Sequence, residues 1–275
     1  MMTQRDMAPE HSVVLVTGAG GGLGSAMTRG LLEAGRSVVG LDIPAARESL
    51  ANLERDAARL DAADRYYSVV ADVRSEADCL RAVAAARERF GTLHALVNNA
   101  GLGMSAHSLD AQDGKLRFYE IPADFWSALF DTNVNGSFNM ARSVAPHLVA
   151  QGWGRIVNVV TGLATMTRGG FTPYGPAKAA MEAASAAWAE ELAGTGVTVN
   201  ALLPGGAADT PMVPHASVSD RATLVAPGTM VAPIVWLTSA AANGVNGLRI
   251  IGKDWDPTLA AETNLRKSTR AGWKT

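Results

Sequence analysis

A run of four apolar residues, Val13-Val14-Leu15-Val16, breaks off at Thr17 into Gly18-Ala19-Gly20-Gly21-Gly22-Leu23-Gly24. Apolar residues without alternation belong to a strand buried on both faces, as in a parallel sheet clad by helices. Glycine supplies the positive φ or the bare backbone that a tight strand-to-helix turn needs. N–H groups at the start of the following helix would then face an anion. This one stretch restricts the chain to an α/β architecture that opens on a phosphate-binding turn.

The rest of the chain keeps that rhythm. A second strand is expected over Ser37 to Leu41, ending at Asp42, and a third over Tyr67 to Ala71, ending at Asp72. Leu93 to Val97 leads into Asn98-Asn99-Ala100-Gly101, and strands at Gly154 to Val160, Val197 to Leu202 and Leu248 to Ile251 complete the set. Helices are expected between them at 24–34, 47–60, 76–90, 124–149, 174–193 and 229–239. Loops should occupy 103–122, 162–173 and 204–226. The expected fold is a Rossmann-type, doubly wound parallel sheet of seven strands in three α/β/α layers. No linker-like stretch divides the chain. It reads as a single domain with a core over 12–252 and a polar C-terminal extension over 253–275 that leaves the domain. Trp255 and Trp273 in that extension would pack on a neighbouring subunit or lie as ordinary surface residues.

The bulk numbers exclude several classes. A net charge of -2 over 275 residues gives no electrostatic case for nucleic acid. No apolar run reaches the ~20 residues a membrane helix needs, and the polar segment up to His11 lacks the apolar centre of a signal peptide. The one cysteine, Cys79, is expected to pack on a helix face rather than to do redox work. None of the five histidines forms a ligand spacing, so no metal is expected. His107 and His215 fall in loops that would border a substrate, as contacts or simply exposed. Together these point to a soluble, cytoplasmic protein.

Asp42 lies 24 residues after Gly18, at the end of the second strand. An acid there can accept hydrogen bonds from the ribose hydroxyls of NAD and would repel the extra phosphate of NADP. No arginine at 19, 41 or 43 offsets that repulsion. Asp72 could accept a bond from the adenine amino group, or could cap its own loop. Tyr174 and Lys178 are four residues apart, on one face of a helix. A lysine beside a phenol can lower its pKa and make it an acid or base near neutral pH. Thr161 precedes the tyrosine by thirteen residues and offers a hydroxyl at a strand end.

These segments resemble the classical short-chain dehydrogenase/reductase family, over roughly Ser12 to Gly252. The match rests on Thr17 through Gly24, on Asn98-Asn99-Ala100-Gly101, on Asn133-Val134-Asn135-Gly136, and on Tyr174 with Lys178. The resemblance implies hydride transfer between NAD(H) and a small-molecule secondary alcohol or ketone. Tyr174 would exchange the proton, Lys178 would bind the nicotinamide ribose and keep the phenol acidic, and Asn133 would hold a relay water behind the lysine. Thr161 would stand where a serine usually orients the substrate oxygen. Cofactor contacts would come from Gly18, Gly20, Gly21, Gly22, Leu23, Gly24, Asp42, Ile43, Asp72, Val73, Asn99, Ala100, Gly101, Tyr174, Lys178, Pro204, Gly205 and Thr210.

Besides the threonine at 161, the chain departs from the family pattern at three further places. Val160 replaces a first hydroxylated residue, the segment from Pro204 to Met212 is one residue longer, and Gly252-Lys253-Asp254-Trp255 replaces an acidic-glycine-glycine ending. A reductase or epimerase on a related carbonyl, or a non-catalytic NAD-binding regulator, are the other readings. The alanines of the 174–193 helix, with Phe130, Phe138 and Met140 of the long helix before it, suggest a homodimer or homotetramer.

Overall fold

The structure, a computed structural model, describes residue 9 and residues 11–272. Trp273 and most of the polar N-terminal segment lie outside the described residues. Seven strands run parallel: β1 (Val13–Thr17), β2 (Ser37–Asp42), β3 (Tyr66–Val70), β4 (Ala95–Asn98), β5 (Gly154–Val159), β6 (Val197–Leu203) and β7 (Leu248–Ile251). Their order in the sheet is β3-β2-β1-β4-β5-β6-β7. The direction of winding reverses between β1 and β4. A crevice therefore opens at the carboxyl ends of those two strands, where ligands of such sheets bind.

Helices α1 (Gly22–Glu33), α2 (Arg47–Arg59), α3 (Glu76–Phe90), α4 (Leu109–Gln112), α5 (Ala123–Phe130), α6 (Gly136–Ala150), α7 (Leu163–Met166), α8 (Tyr174–Glu191), α9 (Val231–Leu237) and α10 (Ala261–Leu265) connect or flank the strands. On one face Met27 and Leu31 of α1, Leu50 and Leu53 of α2, and Ile234 and Leu237 of α9 pack on Val14, Val16 and Val38. On the other, Cys79 of α3, Met140, Val144 and Leu148 of α6, and Ala189 of α8 pack on Leu15, Leu96 and Ile156. The unbroken apolar strands are buried on both faces for this reason. Cys79 is fully buried, with its thiol directed at the Val73 carbonyl.

Four sequence expectations change. The long helix expected over 124–149 is α5 and α6 joined by a π-helical turn, Asp131–Asn135. The loops at 103–122 and 162–173 contain the short helices α4 and α7. The C-terminal extension does not leave the domain: it returns as β8 (Thr269–Arg270), antiparallel to β7, and buries Ala271. Trp255 packs against Trp236 of the same chain, with ring centroids 5.1 Å apart and the planes tilted by 44°. Finally, Met140 is fully buried in the core and offers nothing to a partner, whereas Phe138 is 47% exposed.

The contact between α1 and α9 is close. A Cβ on Gly30 would lie 2.2 Å from Val231 Cγ1. Alanine favours a helix over glycine by about 1 kcal/mol, but overpacking costs about 1–3 kcal/mol. Gly30→Ala is therefore expected to lower the denaturant midpoint, and to do so less in a Val231→Ala background. Equal penalties in the two backgrounds would exclude Val231 as the contact that demands glycine.

Candidate active site

The glycine turn is built by close approach. Gly18 has φ 64°, and a Cβ on Gly24 would lie 2.0 Å from the Gly18 carbonyl oxygen. A Cβ on Gly22 would lie 2.4 Å from the Thr210 methyl. Gly21 caps α1 with no side chain, and the first bond of the helix runs from Ser25 N–H to Gly21 C=O at 2.8 Å. The N–H groups of Gly22, Leu23 and Gly24 thus have no intrahelical acceptor and open toward the crevice. Leu23 turns its side chain onto the core. Bare backbone, orphan donors and a helix N-terminus fit a pyrophosphate, so the residues present suit NAD(H).

Thr17 ties this turn to the end of β4. Its hydroxyl donates to Val97 C=O at 3.3 Å and accepts the N–H groups of Asn99 and Ala100, each at 3.0 Å. Asn99 Nδ2 donates to the carbonyls of Thr17 and Gly18 at 2.9 and 3.0 Å. Gly101 sits beside Asn133, whose Oδ1 would be 3.1 Å from a Cβ there.

Asp42 ends β2 over the turn. Its Oδ2 accepts the Gly20 N–H at 2.9 Å, and its Oδ1 accepts the N–H of exposed Ile43 at 2.8 Å. Burial raises the carboxyl pKa, opposed by these two N–H bonds. Asp72 lies two residues beyond β3 and is clasped by Arg74, with Nε–Oδ2 at 2.9 Å and Nη2–Oδ2 at 2.6 Å. That arginine holds the carboxyl below its usual range, so adenine would share Asp72 with Arg74. Val73 is buried against Gly136.

Tyr174 begins α8, which brings Lys178 beneath it on the same face. Lys178 is buried, and its Nζ donates to the Val159 carbonyl at 2.8 Å and lies 6.0 Å from the Tyr174 ring centroid. Thr161 stands close enough to the phenol to influence its titration. Burial pushes the phenol up to about 12, with Thr161 opposing, and burial pushes Lys178 down to about 8. Burial is thus the largest influence on both groups. Asn133 sits in the π turn, 1% exposed, with its amide committed to Leu102 (Leu102 N–H to Oδ1 at 2.7 Å, Nδ2 to Leu102 C=O at 2.9 Å). One N–H and one lone pair of that amide are left for the expected relay water.

Thr210 is buried beside Gly22, despite the longer loop before it. Pairing of Ala208 with Val225 and a fork from Arg221 onto Asp209 shape that loop. Pro204 is buried, and Gly205, at φ 97°, lies under Lys253. The loops meet where Ser105 Oγ donates to Met212 C=O at 2.8 Å. His107 is exposed and stacked at 5.1 Å on Phe125, and His215 is exposed on its short turn. Sequence reasoning missed two features. One is the Thr17 hydroxyl; the other is Arg249, whose Nη2 donates to Thr161 C=O at 3.1 Å. A charged residue inside the apolar strand Leu248-Arg249-Ile250-Ile251 was the available signal.

Comparison with known proteins identifies relatives of this chain. Residues 12–220 match the family model for short chain dehydrogenase. The chain is 30% identical over 258 residues to the 3-oxoacyl-(acyl-carrier-protein) reductase of Thermotoga maritima, covering 90% of this chain and 98% of that protein. It is 31% identical to the cis-4-hydroxycyclohexanecarboxylate dehydrogenase of Sinomonas cyclohexanicum, covering 86% of this chain and 92% of that one. The crystal structure of the 3-ketoacyl-(acyl-carrier-protein) reductase of Brucella melitensis complexed with NADH superposes with a TM-score of 0.74 at 28% identity, over 87% of this chain and 95% of that one. The chain belongs to the short-chain dehydrogenase/reductase family, as an NAD-dependent oxidoreductase acting on CH–OH and C=O groups.

Proposed function

We propose that the chain interconverts a secondary alcohol and a ketone, with Tyr174 as the proton-exchanging group. The single observation that carries this is the Tyr174 phenol at the start of α8 over a buried Lys178, with Thr161 beside it. Thr161 orients the substrate oxygen, Lys178 holds the nicotinamide ribose, and Asn133 fixes Leu102 and the relay water behind the lysine. Gly18 through Gly24 hold the pyrophosphate, Asp42 the adenosine ribose, and Thr210 the far side of the turn. When bound, NAD(H) supplies or takes the hydride. Relatives reducing 3-oxoacyl groups or oxidising a hydroxycyclohexane ring support a substrate with a neutral carbonyl or hydroxyl carbon. The presence of both Tyr174 and Lys178 argues against a purely regulatory role. One domain, with self-association as a homodimer or homotetramer through the face bearing exposed Phe138, completes the proposal. No helix among the described residues is long and apolar enough to cross a membrane.

Tyr174→Phe is expected to cut turnover by ~10²-fold or more while NAD affinity stays nearly intact. A screen of secondary alcohols at the nicotinamide absorbance band, then steady-state kinetics on the best one, checks this. Near-normal turnover in the variant would sink the assignment.

Cofactor choice follows from the Asp42 carboxylate over Gly20. NAD is expected to bind more tightly than NADP, and Asp42→Ser to narrow the difference. Calorimetric titration of both cofactors decides it, and tighter NADP binding to the unmodified protein would refute the role.

The Lys178 shift has a stability consequence. An unfolded lysine titrates near 10.5 and the folded one near 8. Between those values the unfolded chain binds more protons, so stability must rise with pH across that window. Restricting the comparison to pH 8–10 keeps clear of Tyr174, whose raised pKa acts in the opposite sense above 10. Ligand-free protein should therefore gain more stability from pH 8 to pH 10 than Lys178→Met does. Identical gains in urea unfolding would show that Lys178 keeps its ordinary pKa.

A further inference from the structure

An ion pair lies under the active site. Glu182 on α8 is 0% exposed and Arg249 on β7 is 7% exposed, with Nε to Oε2 at 3.1 Å. The second arm of the guanidinium reaches the other way, where Nη2 donates to the Thr161 backbone carbonyl at 3.1 Å. Glu182 follows Lys178 by four residues and Tyr174 by eight, so all three lie on one stripe of α8. Lys178 holds the Val159 carbonyl and Arg249 the Thr161 carbonyl, which pins the end of β5 at two points. The C-terminal return seals the pair: Thr269 of β8 is in register with Arg249, and Ala271 N–H bonds Gly247 C=O at 3.0 Å.

A buried ion pair is poor value as a stabiliser, because desolvating both charges offsets most of their attraction. Apolar residues would fill the space as well. What apolar residues cannot do is donate to the Thr161 carbonyl. An arginine can, because its planar fork serves two acceptors at once, whereas a lysine presents one compact charge.

We infer that Arg249, oriented by Glu182, is a positioning residue that fixes the backbone of Thr161 and so aims its hydroxyl at the Tyr174 phenol and the substrate oxygen. This rests on the proposed role of Thr161. Misplacing a reacting group by about 1 Å can cost up to ~10²-fold in rate, so the expected loss lies mainly in kcat.

The test uses the full chain and four variants: Arg249→Lys, the apolar pair Arg249→Met with Glu182→Leu, Thr161→Ala, and Arg249→Lys combined with Thr161→Ala. Thermal unfolding and NAD fluorescence titration accompany the kinetics. Arg249→Lys keeps a partner for Glu182 but loses the second arm. The apolar pair removes both charges without leaving one unpaired. Both are expected to stay folded and bind NAD as before, with kcat lower by about ten- to a hundredfold and KM little changed. Thr161→Ala retains the carbonyl but lacks the hydroxyl to be aimed, so Arg249→Lys should cost little more in that background. Should Arg249→Lys fail to fold, the apolar pair carries the same expectation. Wild-type kcat in a folded variant, with Thr161→Ala impaired, would overturn the inference and leave the catalytic role of Thr161 standing. A full additional loss in the Thr161→Ala background would also overturn it, since Arg249 would then act elsewhere. Wild-type kcat in Thr161→Ala itself would instead remove the reading on which the inference depends.

Discussion

The junction between β1 and β4 depends on a single hydroxyl. These strands are neighbours in space but far apart in sequence, and both end at the crevice. Thr17 Oγ1 donates to one carbonyl and accepts two N–H groups there, and Asn99 closes the gap from the other side. Three backbone polar groups near the crevice floor are satisfied by one buried side chain, 1% exposed. A buried polar group left without a partner costs about 1–3 kcal/mol. The same tie holds the turn against the end of β4, where a Cβ on Gly18 would lie 2.8 Å from Ala100 Cα.

Helix α8 organises the other half. Its small residues let Gly175 lie against the Met166 and Thr165 carbonyls, where a Cβ would be 2.5 and 2.9 Å away. The same helix carries the tyrosine, the lysine and the buried glutamate on one stripe. Close packing and catalytic placement therefore impose the same requirement: a helix thin enough to sit down on β5 and β6. Elements from both ends of the chain meet here, since β7 and β8 bring Arg249 and its cover to a site that begins at residue 17.

Strands and helices were legible because burial on both faces leaves unbroken apolar runs, as in Val13 to Val16, and because Gly35 and Gly91 stop their helices in left-handed conformations. The glycine turn, Asp42 and the Tyr174–Lys178 pair were legible because each needs a fixed residue type at a fixed local spacing. The π turn at Asn133 was not, since five residues of ordinary helical composition do not announce a change of hydrogen-bond ladder. Nor was the return of the C-terminal extension: its polar composition matches an exposed tail, and the pairing of Thr269 and Arg270 with Arg249 and Leu248 brings it into the sheet. The grip of Arg74 on Asp72 also escaped, because an arginine two residues on is as readily solvated as paired.

The electrostatics of the site follow from burial more than from neighbours. Desolvation pushes the phenol toward about 12 and the ammonium toward about 8, so both groups drift toward their neutral forms. Lys178 nonetheless remains largely charged at neutral pH, held by the Val159 carbonyl. Tyr174 remains a phenol, with Thr161 beside it opposing the rise. Burial therefore governs the titration of both groups more than either group governs the other.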